Sequence, residues 1–412
     1  MFFHGEAEAM SEIAPAVDTP LTAAETTPKE TRRLAFIDAL RGLILCLMVL
    51  DHTREFFHWG AYHYDPLDLD KTSVIVYLTR WVTHLCTPTF VFLSGVSIYL
   101  QKDKGKSGWA LSRFLLTRGL WLVVLELTVL DFGWNFAEPL VFLQVFWAIG
   151  ISMMIMAGLV WLPRNAVLAL GVIIVAGHNL LDGVDAQALS GGAQVFWRLM
   201  MQPGGLGAVP GFIAYPALPW LGIMCLGYGL APLLALEKNR IRTILMLAVG
   251  MLVLFAVLRG FNLYGNGRLW DTPAHPDLTL LAVLDVTKYP PSLDYALVTL
   301  GITLLLALGL ERLPAGMLKP FLSFGRTPLF TYILHLYILH TLAIIIGSLR
   351  GVPAADFCNF LGDGQRLANA SWGLPLWGVY IVWLCVLAGL YPLSSWYAGY
   401  RARHRYWWTS YL

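Results

Sequence analysis

The sequence predicts an all-α protein that crosses a membrane about ten times, with its helices arranged around a polar cavity. Of its 412 residues, 57% are hydrophobic and only 13% are charged, whereas a soluble protein carries about 25% charged residues. The apolar residues recur in runs of roughly twenty, the length that a helix needs to span a bilayer. The sequence contains no basic stripe with interleaved aromatic residues, the pattern that would indicate a nucleic-acid partner.

The chain divides into three predicted parts. Residues 1–33 are rich in Ala, Glu, Thr and Pro and lack an apolar core, which predicts a disordered cytoplasmic lead and no signal peptide. Residues 34–400 form the membrane domain, and residues 401–412 form a basic, aromatic cytoplasmic tail. The predicted membrane segments are 36–57, 76–100, 114–132, 139–161, 166–181, 212–236, 241–260, 295–311, 321–346 and 374–397.

Basic residues are distributed asymmetrically between the loops that join these segments. Every second connection is short and basic, whereas the opposite connections are longer and carry most of the acidic residues and tryptophans. Positive charge marks the cytoplasmic side, so both termini are expected in the cytoplasm of a multi-pass inner or plasma membrane protein. The residues on that side are Lys29, Arg32, Arg33, Lys102, Lys104, Lys106, Arg113, Arg164, Lys238, Arg240, Arg242, Arg312, Lys319, Arg401, Arg403 and Arg405.

The first membrane segment carries ionisable residues that a bilayer disfavours. On a regular helix, Asp38, Arg41 and His52 fall within about 60° of one another, with Arg41 and His52 roughly 16 Å apart along the axis. Such residues by default face the protein interior and mark a site. This pattern predicts an anion-binding end near Arg41 and a proton-transfer end near His52. The alternative is a structural Asp38–Arg41 pair with His52 as a buried polar residue.

Histidine is concentrated from the middle of the membrane to its outer surface. Eight of the ten histidines lie there by the predicted topology, which predicts a site at that depth. They are His52, His58, His63, His84, His178, His275, His335 and His340. Gln144 within the fourth segment, together with Lys288 and Tyr289 in the outer stretch TKYPPS, are further candidates for lining the cavity.

The ninth segment repeats the pattern of the first, with an arginine near one end and a histidine near the other. On a regular helix, Arg326 and His340 lie within about 40° of one face, and His335 points elsewhere. Pro328 makes a regular helix uncertain here. The alternative for Arg326 is that it only reaches the membrane interface.

Cysteine and short-motif patterns predict neither a disulfide nor a metal site. The five cysteines are scattered, mostly within apolar segments, and no CxxC pair occurs. No P-loop, GxGxxG, GxSxG or HExxH motif is found either.

Five stretches of the sequence resemble the bacterial members of the heparan-alpha-glucosaminide N-acetyltransferase catalytic-domain family, which belongs to a wider group of transmembrane acyltransferases. The resemblance covers residues 33–400. It lies in LAFIDALRGLILCLMVLDH, HLCTPTFVFLSGVS, LQVFWAIGISM, KYPPS and SFGRTPLFTYILHLYILH.

The resemblance implies acyl transfer, most simply acetyl transfer, from cytoplasmic acyl-CoA to an amine or hydroxyl of a sugar on the other side of the membrane. In the lysosomal enzyme of the family, an Asn at the end of the first helix and a His eleven residues later form the proposed catalytic pair. By that spacing, the Asn corresponds to His52 here and the His corresponds to His63. His63 is therefore preferred as the catalytic base over His52, since it matches in residue type as well as spacing.

The resulting expectation assigns each candidate a role. Arg41, Arg326 and Asp38 belong to the acyl-CoA site, and His63 or His52 is the base. Substrate-cavity residues are His84, Gln144, His178, Lys288, Tyr289, His335 and His340. The alternatives are a transporter or flippase for a polar lipid or sugar, and a pH sensor or scaffold. A homodimer is left open.

Overall fold

The computed structural model is mostly helical and describes residues 28–106, 108–136, 141–207, 210–235, 239–273, 275–358, 360, 364–404 and 406. Residues 1–27 of the predicted lead and residues 407–412 of the predicted tail lie outside the described residues. The first helix begins at Pro28, so residues 28–33 of the predicted lead are helical.

The α-helices are named in chain order. They are α1 (Pro28–Phe57), α2 (Val74–Val82), α3 (Cys86–Asp103), α4 (Gly108–Leu125), α5 (Asp131–Asn135), α6 (Val145–Leu159), α7 (Arg164–Gly177), α8 (Gly191–Met200), α9 (Ala217–Ala235), α10 (Arg240–Gly260), α11 (Thr279–Leu284), α12 (Leu293–Arg312), α13 (Ala315–Arg326), α14 (Pro328–Leu349), α15 (Ala354–Phe357), α16 (Gln365–Asn369) and α17 (Leu376–Arg403). A π-helical turn, Glu126–Leu130, joins α4 to α5. Short 3₁₀ turns occupy Trp59–Tyr62, Thr83–Leu85, His178–Leu181, Ala186–Ala188 and Pro276–Leu278.

Seven helical segments within the described residues are long and apolar enough to cross a membrane. This confirms the prediction of a helical protein with several membrane-spanning segments. The seven are Val74–Asp103, Arg164–Leu181, Ala217–Leu234, Arg240–Gly260, Leu293–Arg312, Pro328–Leu349 and Leu376–Arg403. The three remaining predicted segments contain α1, the charged α4 and the shorter apolar α6.

Helix α1 lies in the interior of the bundle. It packs against α3, α12, α13, α14 and α17, and residues as widely spaced as Ala39, Ile44 and Val49 are fully buried. A helix that is apolar on nearly all faces is expected to be enclosed by other helices. From Asp38 to Glu55, the polar side chains of α1 are accordingly buried or half-buried.

Close backbone contact between α1 and α13 depends on two glycines. A β-carbon on Gly42 would overlap the carbonyl of Phe321, and one on Gly325 would overlap the carbonyl of Asp38. Only residues without a side chain permit this approach. The contact brings Arg326, at the end of α13, beside the N-terminal half of α1, which carries Asp38 and Arg41.

The predicted ninth segment is broken rather than continuous. Helix α13 ends at Arg326 and α14 begins at Pro328, with Thr327 in a non-helical conformation between them. Proline lacks the N–H that would continue the helical ladder and restricts the preceding residue. The prediction that Arg326 and His340 share a face of one helix is therefore wrong, because they lie on different helices.

Two predicted membrane segments begin with short strands instead of helices. Strand β1 (Val141–Leu143) pairs in parallel with β3 (Gly211–Ile213), which pairs antiparallel with β2 (Gly204–Gly205). In the register, Val141 is opposite Gly211.

Two buried carboxylates anchor the region where β1 leads into α6. The Glu126 carboxylate accepts a hydrogen bond from the Trp147 N–H at 2.9 Å, and Asp131 accepts one from the Phe142 N–H at 3.2 Å. A carboxylate at a helix N-terminus satisfies N–H groups that lack partners within the helix. The contacts fix the start of α6, which includes Phe146, relative to the rest of the bundle.

Candidate active site

A pair of buried histidines links α1 to α14. Nδ1 of His52 lies 2.8 Å from Nε2 of His335, and Nδ1 of His335 lies 3.2 Å from the Thr331 carbonyl oxygen. His335 is fully buried and His52 nearly so. For a regular helix, His335 was expected on a different face from Arg326 and His340; α14 begins anew at Pro328, and its His335 faces His52 while His340 faces the carbonyls of Gly133 and Phe357.

The hydrogen bonds determine which nitrogen of each neutral imidazole carries the proton. A carbonyl oxygen only accepts, so His335 donates from Nδ1 to Thr331 and accepts at Nε2. His52 then donates from Nδ1 to His335, which leaves the lone pair on Nε2 of His52. Within the described part of the chain, Nε2 of His52 has no hydrogen-bond partner. This is the arrangement that a general base requires.

Aromatic side chains surround the histidine pair. The His52 ring meets Trp134 edge-on at 4.8 Å between centroids and Tyr332 at 5.8 Å. Tyr332 also contacts the rings of His335, at 5.0 Å, and Phe146, at 4.6 Å. We call Trp134, Phe146 and Tyr332 the aromatic partition.

An inner cavity of about 880 Å³ lies on one side of the aromatic partition. Its wall contains Asp38, Arg41 and Arg326, the three residues predicted to form the acyl-CoA site. Tyr332 and Phe146 also line it. Arg41 donates to the Asp38 carboxylate at 2.8 Å and to the Ser97 hydroxyl. The remaining lining residues are Leu45, Met48, Phe90, Ser94, Ile98, Gln101, Phe114, Arg118, Leu122, Val145, Ile149, Met153, Gly325, Pro328, Leu329, Arg401 and Tyr406.

Two arginines of the inner cavity were missed by the sequence analysis. Arg118 lies within α4 and Arg401 near the end of α17, and both line the cavity together with Arg41 and Arg326. Arg118 could have been found, because it is an ionisable residue inside a predicted membrane segment. Arg401 was assigned to the tail, and only the packing of the helices places it here. Four arginines thus line one cavity.

An outer cavity of about 600 Å³ lies on the other side of the partition and has Trp134 in its wall. Gln144 and Tyr289, both predicted to line a cavity, are found here. The other lining residues are Arg54, Glu55, Ala61, Tyr62, Tyr64, Asp65, Pro66, Arg80, Phe142, Ala214, Tyr215, Phe360 and Gly364. The two cavities have no lining residue in common.

Polar groups of the outer cavity are available to a ligand. The Tyr62 hydroxyl donates to the Phe56 carbonyl at 3.0 Å, and burial raises the pKa of Tyr62 above its ordinary value, so the phenol stays neutral. The amide nitrogen of Gln144 has no partner within the described residues. Lys288 is buried nearby, with its ammonium 5.1 Å from the Tyr289 ring centroid.

A buried ion cluster lies beside the outer cavity. Arg80 donates to both Asp51 oxygens at 3.0 and 3.1 Å, and Arg54 approaches Asp51 at 3.3 Å and Glu55 at 3.5 Å. Asp51 therefore pairs with arginines and not with His52, because adjacent residues on a helix do not face each other. Arg54 and Arg80 were not predicted, although charges within or next to apolar segments are a signal that could have found them.

None of the candidate histidines, His52 and His335 included, is among the residues that line either cavity; His52 and His335 contact the linings through Trp134 and Tyr332. His63 is exposed and stacks on Trp59 at 3.8 Å, so the structure does not bring it to the His52–His335 pair. His178 is hydrogen-bonded to the Ile174 carbonyl, and His340 lies between the carbonyls of Gly133 and Phe357. His84 is buried against Tyr295. Among the described residues, no cluster of three or more His, Cys, Asp or Glu side chains could hold a metal ion.

Replacing Asp51 by Ala should strongly destabilise the protein. The change leaves Arg80 and Arg54 buried without their shared counter-ion, which typically costs about 3–5 kcal/mol. The melting temperature in detergent should fall clearly. The control is Lys71→Ala, which removes an exposed pair with Asp68 and should cost at most about 1 kcal/mol. Equal melting of Asp51→Ala and the wild type would contradict a neutralising role for Asp51.

The comparison with known families agrees with the resemblance in the sequence. The catalytic family of heparan-alpha-glucosaminide N-acetyltransferase matches residues 33–262, which include most of α1, all of α5 and α6, and Gln144 of the outer cavity. No curated protein matches the chain. Because the match covers more than half of the sequence, the chain belongs to the heparan-alpha-glucosaminide N-acetyltransferase catalytic family, a family of membrane acetyltransferases.

Proposed function

We propose that this protein moves an acetyl group from cytoplasmic acyl-CoA, bound in the inner cavity, to an amine or hydroxyl of an extracytoplasmic sugar bound in the outer cavity. The observation that carries the proposal is the His52–His335 pair, which lies between two cavities that share no lining residue. A base at that position would lie between an acyl-CoA bound in the inner cavity and a sugar bound in the outer cavity.

The donor site is supported by the charge of the inner cavity. Arg41, Arg118, Arg326 and Arg401 line it, and arginine suits phosphate because its planar guanidinium forms paired hydrogen bonds. Asp38 holds the Arg41 guanidinium in place. The phosphates of CoA would lie at this arginine-lined end.

The distance from the arginines to the histidines suits a CoA thioester. Arg41 and His52 are eleven residues apart on α1, roughly 16 Å along the axis. The pantetheine arm of CoA is about as long as four extended residues, or 13 Å. A donor with its phosphates near Arg41 would therefore hold its acyl group at the aromatic partition, just below His52.

His52 is better placed than His63 to act as the base. Its Nε2 lone pair is available and its orientation is fixed by His335 and Thr331, whereas His63 is exposed and stacked on Trp59. In the proposed step, Nε2 of His52 takes the proton of the acceptor amine or hydroxyl as it attacks the thioester carbonyl. The new C–N or C–O bond forms, the C–S bond breaks, and the proton passes to the departing CoA thiolate.

The outer cavity has the features of a sugar site. Trp134, Tyr62 and Phe360 offer flat apolar faces, while Glu55 and Gln144 offer polar groups at its wall. Ligand sites typically combine aromatic surface with a few polar groups that fix orientation. The ion cluster of Asp51, Arg54 and Arg80 would hold the polar wall rigid.

We further propose the topology that the loop charges indicate. It has ten membrane crossings around the two cavities, both termini in the cytoplasm, and a location in the inner or plasma membrane.

A transporter or flippase is the alternative function. Two cavities separated by a thin partition would also suit a substrate that passes from one side to the other without reaction. Release of free CoA from acetyl-CoA distinguishes the two, because only acyl transfer breaks the thioester bond.

Replacing His52 by Gln should abolish transfer while preserving donor binding. Gln keeps an N–H group for His335 but cannot accept a proton, and loss of a positioned base typically costs 10²–10⁴-fold in rate. The measurement is CoA release from acetyl-CoA by purified protein with glucosamine as the acceptor probe. His63→Ala is the control and should turn over at nearly the wild-type rate. A fully active His52→Gln variant would overturn the assignment.

Replacing Arg41 or Arg326 by Ala should weaken CoA binding by about ten- to a hundredfold, since a hydrogen bond to a charged group is worth about 1.5–3 kcal/mol. Calorimetric titration with CoA measures this directly. Arg242, exposed on α10 and outside the cavity lining, provides the control, and Arg242→Ala should bind CoA normally. Unchanged affinity in both folded cavity variants would show that these arginines are structural.

A further inference from the structure

Tyr332 occupies the point where the inner cavity meets the histidine pair. It lies in the second turn of α14, is 5% exposed, and forms part of the inner cavity wall. Its ring contacts the imidazoles of both His52 and His335 edge-on. Phe146 packs against the same ring. Three side chains thus fix the position of the phenol at the end of the cavity.

The hydroxyl of Tyr332 differs from those of three other tyrosines in the bundle, and from that of Tyr397, which is enclosed without a partner, in that it opens into a cavity. The buried hydroxyls of Tyr77 and Tyr295 donate to backbone carbonyls at 2.8 and 2.7 Å, and that of Tyr337 on the same helix donates at 2.7 Å. Within the described residues, the Tyr332 hydroxyl has no partner, yet it is not enclosed by protein atoms. Buried tyrosine hydroxyls normally find a partner. A hydroxyl that opens into a cavity is free to donate to a molecule bound there.

We propose that Tyr332 is a catalytic residue that donates a hydrogen bond to the carbonyl oxygen of the donor thioester. This rests on the proposed function, and it assigns a role to a residue that neither the loop charges nor the histidine pattern indicated. Attack by the acceptor turns the carbonyl oxygen into an oxyanion. The phenol stabilises that charge by its hydrogen bond and keeps its own proton, so the transferred proton still passes through His52 to the leaving thiolate.

Geometry and surroundings favour this role over simple packing. The thioester reaches the partition when the CoA phosphates lie at the arginines, and Tyr332 is the partition residue that contacts both histidines. The other partition residue of the inner wall, Phe146, has no polar group to offer. Apolar and aromatic rings surround the phenol, and a hydrogen bond to a developing charge is stronger beside such groups than in bulk water.

The test replaces Tyr332 by Phe, which retains the ring and removes only the hydroxyl. The rate of CoA release from acetyl-CoA, again with glucosamine as acceptor, should fall by about 10²–10³-fold, as expected for loss of one oxyanion donor. Affinity for CoA itself should stay within twofold of the wild-type value, since CoA has no acyl carbonyl. Tyr337→Phe is the matched control. It also removes a tyrosine hydroxyl from α14, but that hydroxyl donates to the Val129 carbonyl.

The outcomes separate this proposal from the function on which it rests. If the wild-type protein releases CoA and Tyr332→Phe does so at the same rate, the role of Tyr332 is refuted and the acetyltransferase stands. Loss of CoA affinity in Tyr332→Phe, or an equal loss of rate in Tyr337→Phe, would also refute it, because either result indicates a packing role. Failure of the wild-type protein to release CoA would refute the proposed function instead.

Discussion

The hydrogen bond between His52 and His335 is the contact on which the rest of the site depends. It joins the buried helix α1 to α14, and the Thr331 carbonyl at its far end sets the tautomer of both rings. Neither imidazole could be held this way by one helix alone. The close glycine contact of α1 with α13 and the break at Thr327 determine how α14 leaves that contact and where His335 points.

Burial destabilises the charged groups around this pair, and each charged group is stabilised by a counter-ion of its own region. Asp38 neutralises Arg41 at the inner end, while Asp51 is shared by Arg80 and Arg54 near the outer end. Ions removed from water require such partners. The histidines in between are paired with each other and a carbonyl, which suits neutral imidazoles. The site thus places charged groups at both ends and neutral, proton-accepting chemistry in the middle.

Sequence alone predicted most of the helices, the family and two of the four inner arginines, because apolar length and intramembrane charge are local signals. Arg41 and Arg326 share a cavity as expected. The prediction that Arg326 and His340 lie on one face of a single helix was wrong, because the two residues lie on α13 and α14. The contact of His335 with His52 could not be predicted, because Pro328 starts a new helix and the contact joins two separate helices. The Asp51–Arg80 pair likewise joins residues on different helices. Spacing in the family favoured His63, yet a turn after α1 carries it to the surface beside Trp59. Contacts of this kind follow from tertiary packing, which no single segment specifies.

Acyl transfer between two separated cavities makes one prediction that neither a transporter nor a one-sided enzyme shares. Sealed proteoliposomes would receive acetyl-CoA labelled in its acetyl group outside, with glucosamine trapped inside, and the fractions would be separated after incubation. The mechanism predicts labelled N-acetyl sugar in the lumen and an equal amount of free CoA outside, from the molecules inserted in that orientation. Product formed only when acetyl-CoA and glucosamine are on the same side, or intact acetyl-CoA found in the lumen, would contradict it.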